Sequence, residues 1–157
     1  MVFVTIGTQA PFDRLIKLID ELAPLLDEEI IAQVCNSNYK PRNIKTLEFL
    51  APDEFNKLFD QARLIVAHAG MGTILSALQR HKPIIIFPRI AALGEQRNEH
   101  QLATAKKFKE LGTVYVAMNE TELKDLLTQD SLKCLYSIGD SASKTLITSI
   151  TDFIDKK

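Results

Sequence analysis

The sequence predicts an α/β fold, a parallel β-sheet with helices on both faces, formed as one domain over residues 1–157. Three observations carry this. Apolar runs alternate along the chain with stretches whose apolar residues recur at helical spacing, the pattern of consecutive βαβ units. The runs are nearly continuous, as strands buried on both faces are. No internal repeat, low-complexity tract or linker interrupts the alternation.

Taken in order, the first strand is expected from Val2 to Ile6, with Gly7-Thr8-Gln9 as the turn after it. Phe12, Leu15, Ile16, Ile19 and Leu22 then mark one face of a helix that ends near Pro24. A second strand is expected from Ile30 to Val34, and the loop Asn36 to Pro41 follows by composition. Thr46 to Leu50 alternates weakly and reads as a third strand; Pro52-Asp53 opens a helix carrying Phe55, Leu58 and Phe59. Leu64 to Ala67 is a buried fourth strand that ends in His68-Ala69-Gly70-Met71-Gly72-Thr73, and a helix with Ile74, Leu75 and Leu78 on one face begins at once. Pro83 to Phe87 supplies a fifth strand. A helix through Leu102, Ala105, Phe108 and Leu111 stops at Gly112, a good C-cap position. Val114 to Ala117 is a sixth strand, Thr121-Glu122 opens a short helix, and Leu132 to Ile138 is ambiguous. A last helix is expected with Leu146, Ile147, Ile150, Phe153 and Ile154 on one stripe.

Bulk properties narrow the function. A chain of 157 residues, 46% hydrophobic and 25% charged, fits one domain with a proper core. A net charge of −1 lacks the basic footprint of a general nucleic-acid binder. Cys35 and Cys134 have no metal-ligand spacing and read as free thiols in a reducing compartment. The start of the chain meets Gly7 too early for a signal peptide, and no apolar run approaches the ~20 residues of a membrane span. A soluble, cytoplasmic chain is expected, so that any membrane role needs a partner.

In parallel sheets, ligands bind beyond the carboxyl ends of the strands. The Gly7, His68 and Arg89 loops all follow strands and so fall on that edge. A glycine turn opening a helix aims free backbone N–H groups at an anion. The same glycines also suit a tight turn that needs them for its own geometry, and the residues alone leave both readings open. The stretch is neither a P-loop nor a GxGxxG fingerprint, since no Gly-Lys-Ser/Thr follows. His68 is either a hydrogen-bonded structural histidine or a donor to a phosphate or sugar hydroxyl. No nucleophile stands at a recognised distance from a base, and His68, His81 and His100 form no helical metal pair. Arg89, Glu95, Arg97, Asn98, Glu99, His100 and Gln101 form a polar cluster that reads equally as a solvated helix start or as hydroxyl recognition.

Together, Phe3 to Thr8, His68 to Thr73, Phe87-Pro88-Arg89, Gly94-Glu95 and Asn98 to Gln101 resemble the C-terminal domains of family 28 glycosyltransferases. These are Rossmann-like donor-binding halves of GT-B enzymes. The chain is most similar to split enzymes in which that half is a separate polypeptide. Such enzymes serve bacterial exopolysaccharide or capsule synthesis, which the Pro88-Arg89 and Gly94-Glu95 pattern resembles more, and the dolichol-pathway UDP-N-acetylglucosamine transferase.

The resemblance implies a hexosyltransferase subunit that takes a UDP-sugar as substrate, needs no cofactor, and is active only with a partner. Gly7 and Thr8 would form a phosphate-side turn, beside His68. Gly70, Met71, Gly72 and Thr73 would hold the diphosphate. Asn98, His100 and Gln101 would contact the sugar, and the Phe49-Leu50 backbone the uracil. Arg89 and Glu95 would belong to the site in roles the resemblance leaves open. The acceptor half and the base would come from a membrane-anchored subunit that holds a lipid-linked sugar at the inner face of the membrane. Two departures stand out: Ser76 replaces a glutamate often used for ribose, and Glu99 interrupts an Asn-His-Gln triplet. They keep a non-catalytic donor-binding module as the alternative.

Overall fold

A computed structural model describes residues 1–139. Six parallel strands form one sheet: β1 (Val2–Thr5), β2 (Ile30–Gln33), β3 (Lys45–Leu47), β4 (Leu64–His68), β5 (Ile84–Phe87) and β6 (Tyr115–Val116). Their spatial order is β3-β2-β1-β4-β5-β6. Among the described residues the α-helices are α1 (Asp13–Leu22), α2 (Pro52–Gln61), α3 (Met71–Gln79), α4 (His100–Leu111) and α5 (Glu120–Leu127). This is the expected Rossmann-like α/β arrangement. The helix foreseen through Leu146 and Ile154 lies outside the described residues.

Side-chain alternation along the central strands builds a core on each face of the sheet. Val2 and Val4 of β1, Leu64 and Val66 of β4, and Ile85 and Phe87 of β5 pack with Phe12, Leu15, Ile16 and Ile19 around α1 and with Leu123 and Leu127 of α5. Phe3, Ile65, Ala67, Ile84 and Ile86 point the other way, against Phe59, Ile74, Ala77, Leu78 and Ala105 of α2, α3 and α4. Because both faces are covered, the strands read as continuous apolar runs. Phe3 meets Phe55 and Phe59 edge-on, at centroid distances of 5.4 and 6.4 Å.

Two differences from the sequence expectation have local causes. The third strand stops at Leu47 rather than running to Leu50. It is an edge strand with β2 as its partner, and the ladder ends where β2 ends, with Gln33 opposite Leu47. All three of its residues are exposed. The ambiguous stretch from Leu132 takes no regular structure, yet it buries Leu132 and packs Ile138 against the core. The long connection from β2 to β3 is held from below by Asp20 of α1. Its buried carboxylate accepts from Tyr39 Oη (2.8 Å) and the backbone N–H groups of Arg42 (3.0 Å) and Asn43 (2.6 Å). Gly112, at φ 64°, ends α4 in the left-handed conformation expected of a C-cap glycine.

Strand order reverses between β1 and β4: the chain builds outward to β3, then returns to the other side of β1 and builds to β6. In open α/β sheets this switch point leaves a crevice between two loops that run in opposite directions. Here those loops are Gly7–Pro11 and His68–Gly70.

Candidate functional site

A cavity of about 710 Å³ opens at this crevice. One wall is the turn after β1, with Gly7, Thr8, Gln9 and Ala10. His68 ends β4 at its floor. The opposite wall is the segment after β5, with Arg89, Glu95, Gln96, Arg97, Asn98 and Gln101. A second, smaller cavity of about 280 Å³ adjoins it and shares Gly7 and Thr8. Its other walls are Thr5, Gln33, Leu50, Pro52, Phe55, Asn56 and Thr73. The segment from His68 to Thr73 therefore touches both, His68 in the first and Thr73 in the second.

The two glycines beside His68 explain each other. A Cβ on Gly70 would come to 2.2 Å from His68 Nε2, and one on Gly7 to 3.0 Å from His68 Cε1. Gly7 also sits at φ +77°, where L side chains are strained. The imidazole thus lies in a slot between Gly7 and Gly70. The space that Gly70 leaves is taken by His68, which is the structural one of the two readings the sequence left open for this glycine. Gly72 is different: a Cβ there would meet nothing within 4 Å, so its backbone faces open space. Gly70 caps the start of α3 with extended backbone, and the helical bonding begins with Ile74 N–H donating to Gly70 C=O at 3.2 Å. The N–H groups of Met71, Gly72 and Thr73 are left without intrahelical partners, at the positive end of the helix dipole.

His68 is half-buried and its Nδ1 is fully buried without a hydrogen-bond partner. Burial, and then the positive charge of Arg89, hold the imidazole below its ordinary pKa; the Thr5 backbone works weakly in the other direction and gives Nδ1 no hydrogen bond.

Arg89 is the surprise. Only 3% of it is exposed. Its guanidinium donates to four carbonyl oxygens, those of Pro11 (2.6 Å), Ala10 (2.8 Å), Ile6 (3.0 Å) and Glu95 (3.3 Å). It also lies 4.5 Å from the Phe12 ring centroid. Every contact ties the turn after β1 to the segment after β5. Glu95 completes the tie. Its carboxylate accepts from Arg14 Nε and Nη2 at 2.7 and 2.9 Å and from Ile90 N–H at 2.8 Å. Arg14 also donates to Pro88 C=O at 3.0 Å and stacks 4.4 Å from the Phe87 centroid. Arg89 and Glu95 line the cavity, but their polar groups hold its walls together.

The remaining expected residues divide. Gly7, Thr8, His68 and Asn98 line the first cavity with atoms to offer a ligand, and Thr73 lines the second. Gln101 lines the first, but its Oε1 accepts from Arg89 N–H (3.2 Å) and its Nε2 donates to Gln96 (3.1 Å). Gly70, Met71 and Gly72 stand at the α3 N-terminus and contribute backbone rather than cavity wall. Phe49 is 78% exposed and lines neither cavity, whereas its neighbour Leu50 lines the second. His100 opens α4 in an exposed position outside both linings. Sequence reasoning missed Arg14, which is 81 residues from its partner and carries no motif. It also missed Gln33, which a polar residue closing an apolar strand does signal. Gln33 is buried and its Oε1 accepts from Thr5 Oγ1 at 2.7 Å. Among the described residues no three His, Cys, Asp or Glu side chains group to hold a metal ion.

Comparison with known proteins bears on the family and the fold. Residues 1–155 match the model of the glycosyltransferase family 28 C-terminal domain. The UDP-N-acetylglucosamine transferase subunit ALG13 of Candida albicans is 31% identical over 85 residues, which cover 54% of this chain and 28% of that protein. The proteins of the same name from Eremothecium gossypii and Homo sapiens are 26% and 28% identical, covering 82% and 73% of this chain. This chain spans 63% and 11% of their respective lengths, under two thirds of each of the three. A solution structure of ALG13 superposes with a TM-score of 0.57 at 23% identity, over 95% of this chain and 93% of that one. The glycosyltransferase of kitacinnamycin superposes at 0.58 and 19% identity, over 82% of this chain and 35% of that one. At these identities the two structures speak for the fold.

Proposed function

Since the chain belongs to the glycosyltransferase family 28 C-terminal domain family, we propose that it is the donor-binding subunit of a UDP-sugar-dependent hexosyltransferase. One observation carries the reading: the larger cavity sits at the switch point of the sheet, between the turn after β1 and the segment after β5, and the adjoining smaller one reaches Thr73 in the first turn of α3. That is where a diphosphate finds free backbone N–H groups. The smaller cavity, with apolar walls from Leu50, Pro52 and Phe55, suits the nucleoside.

The acceptor hydroxyl attacks the anomeric carbon with inversion. The bond from that carbon to the β-phosphate oxygen breaks, and UDP leaves with the electron pair. The acceptor proton passes to a base on the partner. The α3 N-terminus, already oriented, stabilises the charge growing on the leaving group. The relatives are named as subunits of a UDP-N-acetylglucosamine transferase, so UDP-N-acetylglucosamine is the donor to test first. The bacterial exopolysaccharide branch is not carried further, because these relatives are named for a UDP-N-acetylglucosamine transferase. The partner is a membrane-anchored subunit presenting a lipid-linked sugar, and it would recruit this chain to the inner face of the membrane. No helix among the described residues is long and apolar enough to cross a membrane.

Calorimetry with UDP, UDP-N-acetylglucosamine, UDP-glucose and UDP-galactose tests the donor site. Saturable UDP binding supports the reading, and no heat at millimolar UDP refutes it. A second reading is a donor-binding module without catalysis. It is favoured by Ser76, a half-buried residue that lines neither cavity and stands where related enzymes carry a ribose-binding glutamate. A complex with its partner that binds UDP yet transfers no sugar would establish it.

A further inference from the structure

Resting on the donor reading, we propose that Arg97 is the residue that neutralises the diphosphate of the bound nucleotide. Two arginines line the first cavity, and no lysine does. Arg89 is not available. Its N–H groups are directed at four carbonyls, and turning it toward a ligand would leave buried acceptors without a donor. The charged form of His68 is disfavoured by burial and then by Arg89. Arg97 is exposed and makes no hydrogen bond or ion pair within the described residues. It is the one cavity-lining cation among them whose charge is uncommitted.

Its neighbours show that this freedom is local. Glu95 is fixed by Arg14 and Ile90, Gln96 accepts from Gln101, and Asn98 Oδ1 accepts from His100 N–H at 3.1 Å. The segment is held on both sides of Arg97, which borders the cavity and has no hydrogen-bond or ion-pair partner among the described residues. A guanidinium at the wall of this cavity, on a segment held at both ends, suits two-point binding of phosphate oxygens. When the glycosidic bond breaks, the departing β-phosphate oxygen gains negative charge on the same group, so the contact strengthens as the reaction proceeds.

The test uses the whole chain and three ligands: UDP, UMP and uridine. Arg97→Gln is expected to weaken UDP roughly 10- to 100-fold, UMP less, and uridine not at all. Arg97→Lys should fall between Gln and wild type, since it keeps the charge and loses the fork. The salt dependence of UDP binding should flatten in Arg97→Gln. The melting temperature should stay unchanged, because Arg97 supports nothing in the free chain. Wild-type affinity for UDP in Arg97→Gln overturns the proposal and leaves the donor reading standing. An equal loss for uridine and UDP also overturns it, since the defect would then be one of fold. A wild-type chain that binds no UDP overturns the donor reading and this proposal together.

Discussion

Gly70→Ala isolates the packing of His68. The added Cβ would sit 2.2 Å from Nε2 and 2.9 Å from both Cδ2 and Cε1. Ordinary contact lies near 3.5 Å, so the ring must retreat by roughly 1.3 Å. The room for that movement lies on the Gly7 side, where the absent side chain leaves a position 3.0 Å from Cε1 unfilled. Forced displacement of this kind costs about 1–3 kcal/mol. For a chain of this size, that corresponds to a fall in melting temperature of roughly 2–4 °C per kcal/mol. Gly72→Ala, in open space two residues on, should be neutral or stabilise by a few tenths of a kcal/mol to about 1 kcal/mol. Urea unfolding of both variants gives the contrast, and repeating Gly70→Ala in a His68→Ala background gives the cause. If the clash is with the imidazole, truncating the ring removes most of the penalty. An undiminished penalty without the ring, or Gly70→Ala and Gly72→Ala costing the same, refutes the slot.

Two further outcomes follow from the same region. Glu95→Gln takes the charged acceptor from Arg14 while keeping the side chain's shape. It should cost about 1–3 kcal/mol in chemical denaturation, and Arg14→Lys should cost less; no loss in either variant would mean the two walls are tied by Arg89 alone. Because the folded-state pKa of His68 is depressed, the unfolded chain takes up its proton first as pH falls. The His68 contribution to stability is therefore complete above about pH 6.5 and is lost as pH drops from there through the folded value. Stability against pH in that window should be flatter in His68→Asn than in wild type. An identical slope would show that the ring titrates normally.

The central strands were legible because burial on both faces leaves an unbroken apolar signature from Val2, Leu64 and Ile84 onward. The edge strand β3 was legible in place but not in length, since its end is set by the length of β2, a property of the neighbour. Glycines were legible as special positions but not as to why. Whether a missing side chain makes room for a ligand or for a histidine depends on a residue two positions back and a turn 63 positions away. Arg89 and Gln101 looked like ligands because polar residues on a ligand-binding edge usually are. What the sequence conceals is that carbonyls of the turn after β1 engage Arg89, and that the Arg89 backbone and Gln96 engage Gln101. Arg14 joined the site through packing across the sheet edge, for which one chain read linearly carries no mark.

The four carbonyls around Arg89 bear on how the cavity moves. Ile6, Ala10 and Pro11 belong to one loop and Glu95 to another, and a single guanidinium answers to both. Opening either loop strands charge-assisted bonds of the other, so the two walls form one cooperative unit rather than a pair of independently fluctuating lips. A nucleotide then enters a mould already set on that side. The ordering entropy of the two loops has been met during folding, and little of the binding energy is diverted to shaping them.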